Sequence, residues 1–361
     1  MLLNEILSKT LGFRLIREKH LEDMGFYAQR DEIEQLNAKA AQVLHTMTSH
    51  NGKSLTPALK KKADEYAVEV LGSRDHAPWL YAYSTMQGKF RDGWMPESFY
   101  HRAVVPRIAK DLGDISAMKS FSNILFRTNA LPDLAYSIDG MCYDRDYRMI
   151  SRAELTKLAQ PHGSVFIKGD GGGAGNKIQR IGYEALADHA FSEDCVVQSA
   201  IQPHPFFDEF VSGAVATLRI NTAKTQQGSI EMRGARLRFG RSESAWLTSD
   251  KSVKVSIMDD DGTLDEFGYT PDWRAWPAHP DTGVPFAGRK VPAFAKAVEL
   301  CRSLHAKLPH FALIGWDAAI NREGKPELIE WNTSYTNISF QEALNGPHFA
   351  DMGWEKFAKQ R

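Results

Sequence analysis

The sequence is short of three features that would narrow its class at once: cysteine, net charge and long apolar runs. Among its 361 residues are 3 cysteines, Cys142, Cys195 and Cys301. They are widely spaced and odd in number, which argues against a disulfide framework or a zinc cluster and indicates a reducing compartment. The 44 basic and 45 acidic residues leave a formal charge of −1, so net charge provides no affinity for nucleic acid.

The sequence also lacks the segments that send a chain into or across a membrane. The N-terminal stretch from Met1 to Leu7 is too short, and charged too early at Glu5, for a secretory signal. No apolar run approaches the roughly 18 residues that a membrane helix needs. These absences predict a cytoplasmic protein without a membrane or nucleic-acid partner. They leave the oligomeric state open, and a homodimer is one option.

Residues 1–112 are predicted to be mainly helical, and no catalytic constellation is recognisable in them. Apolar residues recur at helical spacing from Leu3 to Ile16 and from Leu36 to Val43, and Thr56 before Pro57 is typical of a helix start. An aromatic-rich segment follows, with Trp79, Phe90, Trp94, Phe99 and Tyr100. These rings could stack on bases or sugars, but a seam between two subdomains is the favoured interpretation.

A glycine-rich stretch between Ser164 and Ile181 is the most informative part of the chain. Two short β-like segments flank it, and Lys168 ends the first of them. The glycines concerned are Gly171, Gly172, Gly173 and Gly175. Glycine lets backbone N–H groups approach an anion, and the lysine adds a cation beside them. The pattern predicts a strand–loop–strand phosphate cover; for the glycines alone, a hairpin tip without a ligand stays an equal alternative.

Two flanking stretches could contact the same ligand. A helix is predicted from Ala117 to about Arg127, which places Lys119 in its first turn, where it could serve a phosphate. A solvated lysine on an exposed face is the commoner outcome there. Residues 194–203 predict a buried strand that runs into a linker ended by proline, and the backbone of such a segment could meet an adenine edge.

Two strands are predicted to carry arginines. In residues 217–222 the alternation turns Leu218 and Ile220 inward and leaves Arg219 on the polar face. Residues 231–239 form the second strand, with Arg233, Arg236 and Arg238. Three arginines could form an anion-binding face, but the exposed face of an edge strand is the commoner outcome.

A predicted β-hairpin near the C-terminus carries the acidic residues. Asp317 lies in residues 311–320, and Glu330 and Asn332 lie in residues 326–332, where a period of two puts both on one face. Oxygen ligands of this kind suit magnesium. Each carboxylate alone would more often be an exposed strand charge. In combination with the lysine, the glycine cover and the adenine-edge strand, they predict a site for a nucleoside triphosphate and its metal.

Taken in order, these elements resemble the ATP-grasp superfamily over about residues 110–345. The residues that carry the resemblance are Lys119, Lys168 with its glycine loop, 196–201, Arg219, 315–317 and 329–332. Residues 279–286 with Val291 and Pro292 resemble more narrowly the sugar-transfer-associated ATP-grasp group, related to glutamate-ligase-like proteins. The fold implied is α+β, with two α+β subdomains that clasp ATP and a mainly helical N-terminal region. The boundaries expected are 1–112, 113–203 and 204–361.

The resemblance also assigns roles to residues of this chain. Lys119 and Lys168 would contact the ATP phosphates, and the glycine loop would cover them. Arg219 and Lys168 would be catalytic, with Arg219 steadying the transferred phosphoryl group. The adenine and ribose would be lined by Gln198, Ala200, Ile201 and Gln202, and Mg²⁺ would be held by Asp317, Glu330 and Asn332. Many relatives carry glutamate where this chain has Gln198, which leaves the ribose contact open.

The reaction that the resemblance implies is an ADP-forming ligation. A small-molecule carboxylate attacks the γ-phosphoryl group of ATP to give an acyl-phosphate, and an amine then displaces phosphate to form an amide. An amino acid or sugar acid in glycan or small-metabolite biosynthesis is the substrate expected. A kinase of a hydroxyl substrate and a non-catalytic nucleotide-binding scaffold are the alternatives. The intact set of Asp317, Glu330 and Asn332 argues against the scaffold.

Overall fold

The computed structural model describes residues 32–171, 177–211, 214–241, 251–334 and 336–359. The helical pattern from Leu3 to Ile16 lies outside them. The longer helices are α1 (32–49), α2 (Pro57–Glu69), α3 (Ala77–Gln87), α4 (Arg152–Ala159), α5 (Phe294–Ala306) and α6 (Ser339–Asn345). Short helical segments include Glu97–Phe99, Tyr100–Val104, Val105–Ile108, Lys110–Ala117, Lys119–Phe121, Ser122–Phe126 and Pro205–Asp208. Within the described ranges, no helix is both long and apolar enough to cross a bilayer.

Two helix starts follow the capping signals in the sequence. The Thr56 hydroxyl accepts a hydrogen bond from the Leu59 N–H at 3.3 Å, and proline occupies the first helical position of α2. At the start of α4, Ser151 and Glu154 form a reciprocal capping box, with the Glu154 carboxylate 2.7 Å from the Ser151 N–H. Such caps satisfy N–H groups that have no partner within the helix.

The first sheet is antiparallel and has the strand order β3-β2-β1-β6-β4-β5. Its strands are β1 (Asp133–Ile138), β2 (Met141–Asp144), β3 (Met149–Ile150), β4 (Ser164–Gly169), β5 (Ile178–Gly182) and β6 (Cys195–Ser199). Helix α4 buries Leu155 and Ala159 against Val165, Ile167 and Val197 on one face of this sheet. The other face remains available to the site described below.

The second sheet is also antiparallel, with the order β11-β10-β9-β8-β7-β12-β13. Its strands are β7 (Thr217–Lys224), β8 (Ile230–Phe239), β9 (Val253–Ile257), β10 (Leu264–Tyr269), β11 (Ala275–Trp276), β12 (Leu313–Ile320) and β13 (Pro326–Asn332). Helix α5 covers one face, where Cys301 and Leu304 share a core with Leu218, Ile220 and Trp316. The predicted inward direction of Leu218 and Ile220 is therefore confirmed.

Strand β8 corrects one expectation from the sequence. It pairs with β7 on one side and β9 on the other, so it is an interior strand and not an edge. Because Ala235 and Leu237 face the α5 side, the alternation turns Arg236 and Arg238 to the opposite face. Arg236 is buried and Arg238 half-buried. Local alternation identified the strand but could not reveal its neighbours.

The aromatic segment forms a seam between the N-terminal helices and the second sheet, as the sequence favoured. Trp79 and Trp94 are buried in one core with Tyr269, Trp273 and Phe340. The Trp79 and Trp273 ring centroids are 6.2 Å apart. The helical region and the second sheet thus share a single apolar core.

Trp94 offers a direct test of how strongly this seam holds. Its indole N–H donates to the Glu342 carbonyl at 2.9 Å, in the last turn of α6. We expect Trp94→Phe to lower the free energy of unfolding by about 1–2 kcal/mol, because a buried helix-end carbonyl loses its donor. Urea denaturation measures the change. Trp276→Phe is the matched control, since the buried Trp276 N–H has no partner among the described residues; an equal loss in both variants would contradict this account.

Candidate active site

A row of polar residues crosses the second sheet on the face away from α5. The Cα partners in successive strands are Glu330, Asp317, Arg219, Arg236 and Ser256, from β13 to β9. Neighbouring strands in a sheet lie about 4.8 Å apart, so these side chains stand side by side. The row is acidic at its β13 end and basic towards β8.

Asp317 is held in place by two guanidinium groups. Its side chain is almost fully buried, and its Oδ1 and Oδ2 accept hydrogen bonds from Arg219 Nε and Nη2, each at 2.7 Å. Arg238 Nη2 lies 3.3 Å from Oδ2. Burial alone would raise the pKa of Asp317, but the charges of Arg219 and Arg238 lower it well below its ordinary value. Asp317 is therefore a fixed anion.

Glu330 and Asn332 lie beside Asp317. Trp331 between them belongs to the core on the α5 side, so both point to the opposite face, as predicted. Burial and the neighbouring charge of Asp317 raise the pKa of Glu330. The Nδ2 atom of Asn332 is buried and has no hydrogen-bond partner among the described residues. Two adjacent carboxylates and a polar amide are thus gathered at one end of the row.

This donor set fits a hard divalent cation. Magnesium prefers oxygen ligands and commonly takes one or two carboxylates together with phosphate oxygens. A carboxylate offers about four lone-pair positions; Arg219 uses two of those on Asp317, and Arg238 lies 3.3 Å from Oδ2. Over the described ranges, no group of three or more His, Cys, Asp and Glu side chains could hold a metal. The set that fits is two carboxylates, Asp317 and Glu330, with the Asn332 amide.

Two lysines on the side of the first sheet approach these carboxylates. Lys168 is at the end of β4 and half-buried. Burial lowers the pKa of Lys168, and the nearby charges of Glu330 and Asp133 oppose that shift. Burial likewise lowers the pKa of Lys119, and Glu330 again opposes the shift. The structure therefore brings Lys119, Lys168 and Glu330 together across the space between the two sheets.

The segment around Lys119 differs from the expected helix. A 3₁₀ segment ends at Ala117, Met118 leaves helical geometry with ψ of 82°, and Lys119 opens a second 3₁₀ turn. The Lys119 ammonium donates to the Gly169 carbonyl at 3.3 Å. This bend aims the lysine at the end of β4, which a continuous helix from Ala117 would not do.

The glycine-rich stretch forms the predicted strand–loop–strand unit. Strands β4 and β5 pair so that Lys168 lies opposite Ile178. Gly171 has φ of +66°, a conformation that favours glycine, and its N–H donates to the Ala117 carbonyl at 3.0 Å. Gly172, Gly173 and Gly175 lie outside the described residues. Gly171, the described residue at the start of the loop, therefore lies against the segment that carries Lys119.

The predicted adenine-edge strand is β6, which continues as a linker towards the second sheet. Gln198 is buried, and its Nε2 donates to the Asp133 carboxylate at 2.7 Å. This hydrogen bond engages the Gln198 side chain, which was expected near the ribose. The Gln202 carbonyl accepts from the Arg322 N–H at 2.8 Å. Ala200 and Ile201 make no backbone hydrogen bond to any described residue, so their N–H and C=O groups remain available.

Three polar residues on this face have no individual role predicted from the sequence. Arg238 is predicted only as part of an arginine run, and no role is predicted for Lys254 or Asn221. Each alternates with core residues along its strand, as Lys254 does between buried Val253 and Val255. That alternation was the available signal. Both amide atoms of the fully buried Asn221 lack a partner in the part of the chain that the structure describes.

Comparison with known proteins agrees with this geometry. Residues 181–351 match the family model described as sugar-transfer associated ATP-grasp. The matched part of the chain is similar to this ATP-grasp family. The match includes β6 to β13 and hence Arg219, Asp317, Glu330 and Asn332. The α+β architecture and the mainly helical N-terminal region are those expected from the sequence.

Several solved structures are similar to the chain at low identity. Biotin carboxylase from Campylobacter jejuni is 14% identical, with 68% of this chain and 46% of that chain covered and a TM-score of 0.42. D-alanyl-alanine synthetase A from Vibrio cholerae is 13% identical, with 79% and 70% covered and a TM-score of 0.39. N5-carboxyaminoimidazole synthase from Aspergillus clavatus is 10% identical, with 60% and 44% covered and a TM-score of 0.35.

The chain spans less than half of the length of two of these structures. It covers 44% of the synthase and 46% of the carboxylase. No curated protein matches it. The reaction of this chain is therefore inferred from the residues of its site.

Proposed function

We propose that this protein is an ADP-forming carboxylate–amine ligase that binds MgATP between its two sheets. The observation that carries the proposal is the approach of Lys119 and Lys168 to Glu330, which is the Cα partner of Asp317. Two cations opposite two carboxylates suit a polyphosphate with its metal, since the lysines would hold the phosphates and the carboxylates would hold a divalent cation.

When bound, MgATP would supply the phosphoryl group that activates a carboxylate as an acyl-phosphate, and an amine would then release phosphate. The residues of this chain would act by position and charge. Lys119 and Lys168 would hold the phosphates, and Asp317, Glu330 and Asn332 would hold Mg²⁺. The available backbone groups of Ala200 and Ile201 would meet the adenine edge. Catalysis would thus rest on orientation and charge neutralisation.

Arg219 would act first through Asp317. Its guanidinium donates to both Asp317 oxygens, and Nη1 donates to the Thr336 carbonyl at 3.2 Å. These bonds fix the carboxylate that would hold the metal. Direct contact between Arg219 and the transferred phosphoryl group stays a prediction, and the N–H groups outside these bonds would have to make it.

The reaction can be tested without knowing the substrates. The protein is incubated with ATP, magnesium and pools of amino acids and sugar acids, and products are followed by mass. We expect ADP and phosphate in equal amounts with an amine present, and a hydroxamate when hydroxylamine replaces the amine, because hydroxylamine traps acyl-phosphates. ADP with phosphate retained on a product hydroxyl would establish a kinase instead, and AMP with pyrophosphate would overturn the ligase mechanism.

Lys168 gives the corresponding binding test. We expect Lys168→Met to weaken MgADP binding by roughly 10- to 100-fold, since a charge-assisted hydrogen bond contributes about 1.5–3 kcal/mol. Isothermal titration calorimetry measures the affinity. Lys157→Met changes an exposed lysine on α4, behind the same sheet, and should bind like the parent. Parent-like affinity in Lys168→Met would remove Lys168 from the nucleotide site.

A further inference from the structure

The site face of the second sheet carries more positive charge than the nucleotide site uses. We call the group of Arg236, Arg238 and Lys254 the basic face. Arg238 lies opposite Lys254 in the β8–β9 register, and Arg236 lies one row further along the same face. The basic face therefore extends away from Glu330, beyond the Arg219–Asp317 pair.

These cations are poorly compensated. Arg238 shares Asp317 with Arg219. Arg236 donates to the Gln341 side chain at 2.5 Å and to the Asn337 carbonyl at 3.2 Å, both uncharged. Among the described residues, Arg236 and Lys254 form no ion pair, and the buried Nε atoms of Arg236 and Arg238 have no partner. Unpaired buried charges of one sign are costly unless a ligand compensates them.

The electrostatics of Lys254 agree with this crowding. Burial and the nearby charges of Arg236, Lys39 and Arg238 lower the pKa of Lys254 to about 7. Lys39 comes from α1, far away in sequence, so the N-terminal helices add a fourth cation to the same region. An anion placed here would be attracted by Arg236, Arg238 and Lys39, and it would favour the protonated form of Lys254.

A cleft lies between the N-terminal helices and the loop before α6. Its volume is about 180 Å³, and Lys39, His101, Glu97 and Asn337 line it. Glu97 is already engaged, because it accepts from the Ser339 N–H at 2.7 Å and lies 3.3 Å from His101 Nε2. Asn337 joins the cleft to the basic face, since its carbonyl accepts from Arg236. Space for a small molecule thus adjoins the unpaired cations.

We propose that the basic face and this cleft bind the second substrate of the ligase, a small molecule that carries an anionic group, carboxylate or phosphate, besides its reacting group. Arg236 and Lys254 hold the anionic group, and Lys39 of α1 closes the site from the helical side. This assignment rests on the proposed ligase function. It gives the N-terminal helical region a role in selecting the substrate.

The test uses the full chain and small probes measured by calorimetry. Succinate represents a carboxylate, inorganic phosphate represents a phosphate, and succinamide is the neutral match for succinate. We expect at least one anion to bind more tightly than succinamide, and Lys254→Met to weaken it about tenfold. Lys296→Met changes an exposed lysine on α5, on the opposite side of the sheet, and should bind like the parent.

Two further measurements separate this inference from the proposed function. Lys168→Met should keep the anion affinity, because Lys168 belongs to the nucleotide site, and Lys254→Met should keep the MgADP affinity. If neither anion exceeds succinamide, or if Lys254→Met binds the anions like the parent, the inference is overturned even where MgADP binds. If the parent fails to bind MgADP but the anions respond to Lys254, the proposed function fails and the anion site stands.

Discussion

Replacing Glu330 by glutamine is expected to lower ATP turnover about a thousandfold, equivalent to ~4 kcal/mol in the activation free energy. Glutamine keeps the shape of the side chain but removes the charge that would hold the metal beside Asp317. Stability should change by less than about 0.5 kcal/mol, because the neutral side chain no longer places a second buried negative charge next to Asp317. ADP release with the substrate pools measures the first effect, and urea denaturation measures the second.

A readout independent of turnover comes from Mn²⁺, a paramagnetic stand-in for Mg²⁺. In the presence of ADP, the parent should bind one Mn²⁺ detectable by electron paramagnetic resonance, and Glu330→Gln should bind it far more weakly. Glu323→Gln alters an exposed residue of the β12–β13 turn and should match the parent in every measurement. Unchanged Mn²⁺ binding in Glu330→Gln would show that Glu330 is not a metal ligand.

Arg219→Ala should lower the free energy of unfolding by about 3–5 kcal/mol, the range for breaking a buried ion pair from one side. The variant leaves the almost fully buried Asp317 carboxylate with Arg238 alone. Thermal and urea unfolding measure the loss. Arg322→Ala, at an exposed position after β12, is the control and should change stability by less than about 0.5 kcal/mol.

The same variant tests the catalytic role predicted for Arg219. Under conditions where Arg219→Ala remains folded, we expect the turnover number to fall more than KM for ATP rises, since the contact matters most in the transition state. An effect on KM alone would limit Arg219 to ground-state binding. A stability loss below about 1 kcal/mol would contradict the buried-pair account, because Asp317 would then not depend on Arg219.

The parts of the site that the sequence predicted are those set by short-range patterns. Alternation over a few residues placed Glu330 and Asn332 on one face and turned Leu218 inward. The β4–β5 unit was recognisable because its two strands are joined directly by the glycine loop. In each case the interacting residues are close along the chain, so local periodicity contains the information.

The parts that were missed depend on strand order. Arg219 meets Asp317, which lies 98 positions further along the chain, and no local pattern reveals that β7 lies between β8 and β12. Because strand order is not visible in the sequence, β8 resembles an edge strand there. For the same reason the sequence does not reveal that Gln198 bonds to Asp133. The bend at Met118 was missed because a tertiary contact of Lys119, and not helix propensity, determines that segment.

The seam between the helices and the second sheet has a consequence for how the chain folds. Trp79 and Trp94 lie in the same core as Trp273 and Phe340. A fragment that began at residue 113 would therefore expose the rings of Trp273 and Phe340 to water. The helices before residue 113 and the second sheet should therefore melt together, as one cooperative unit.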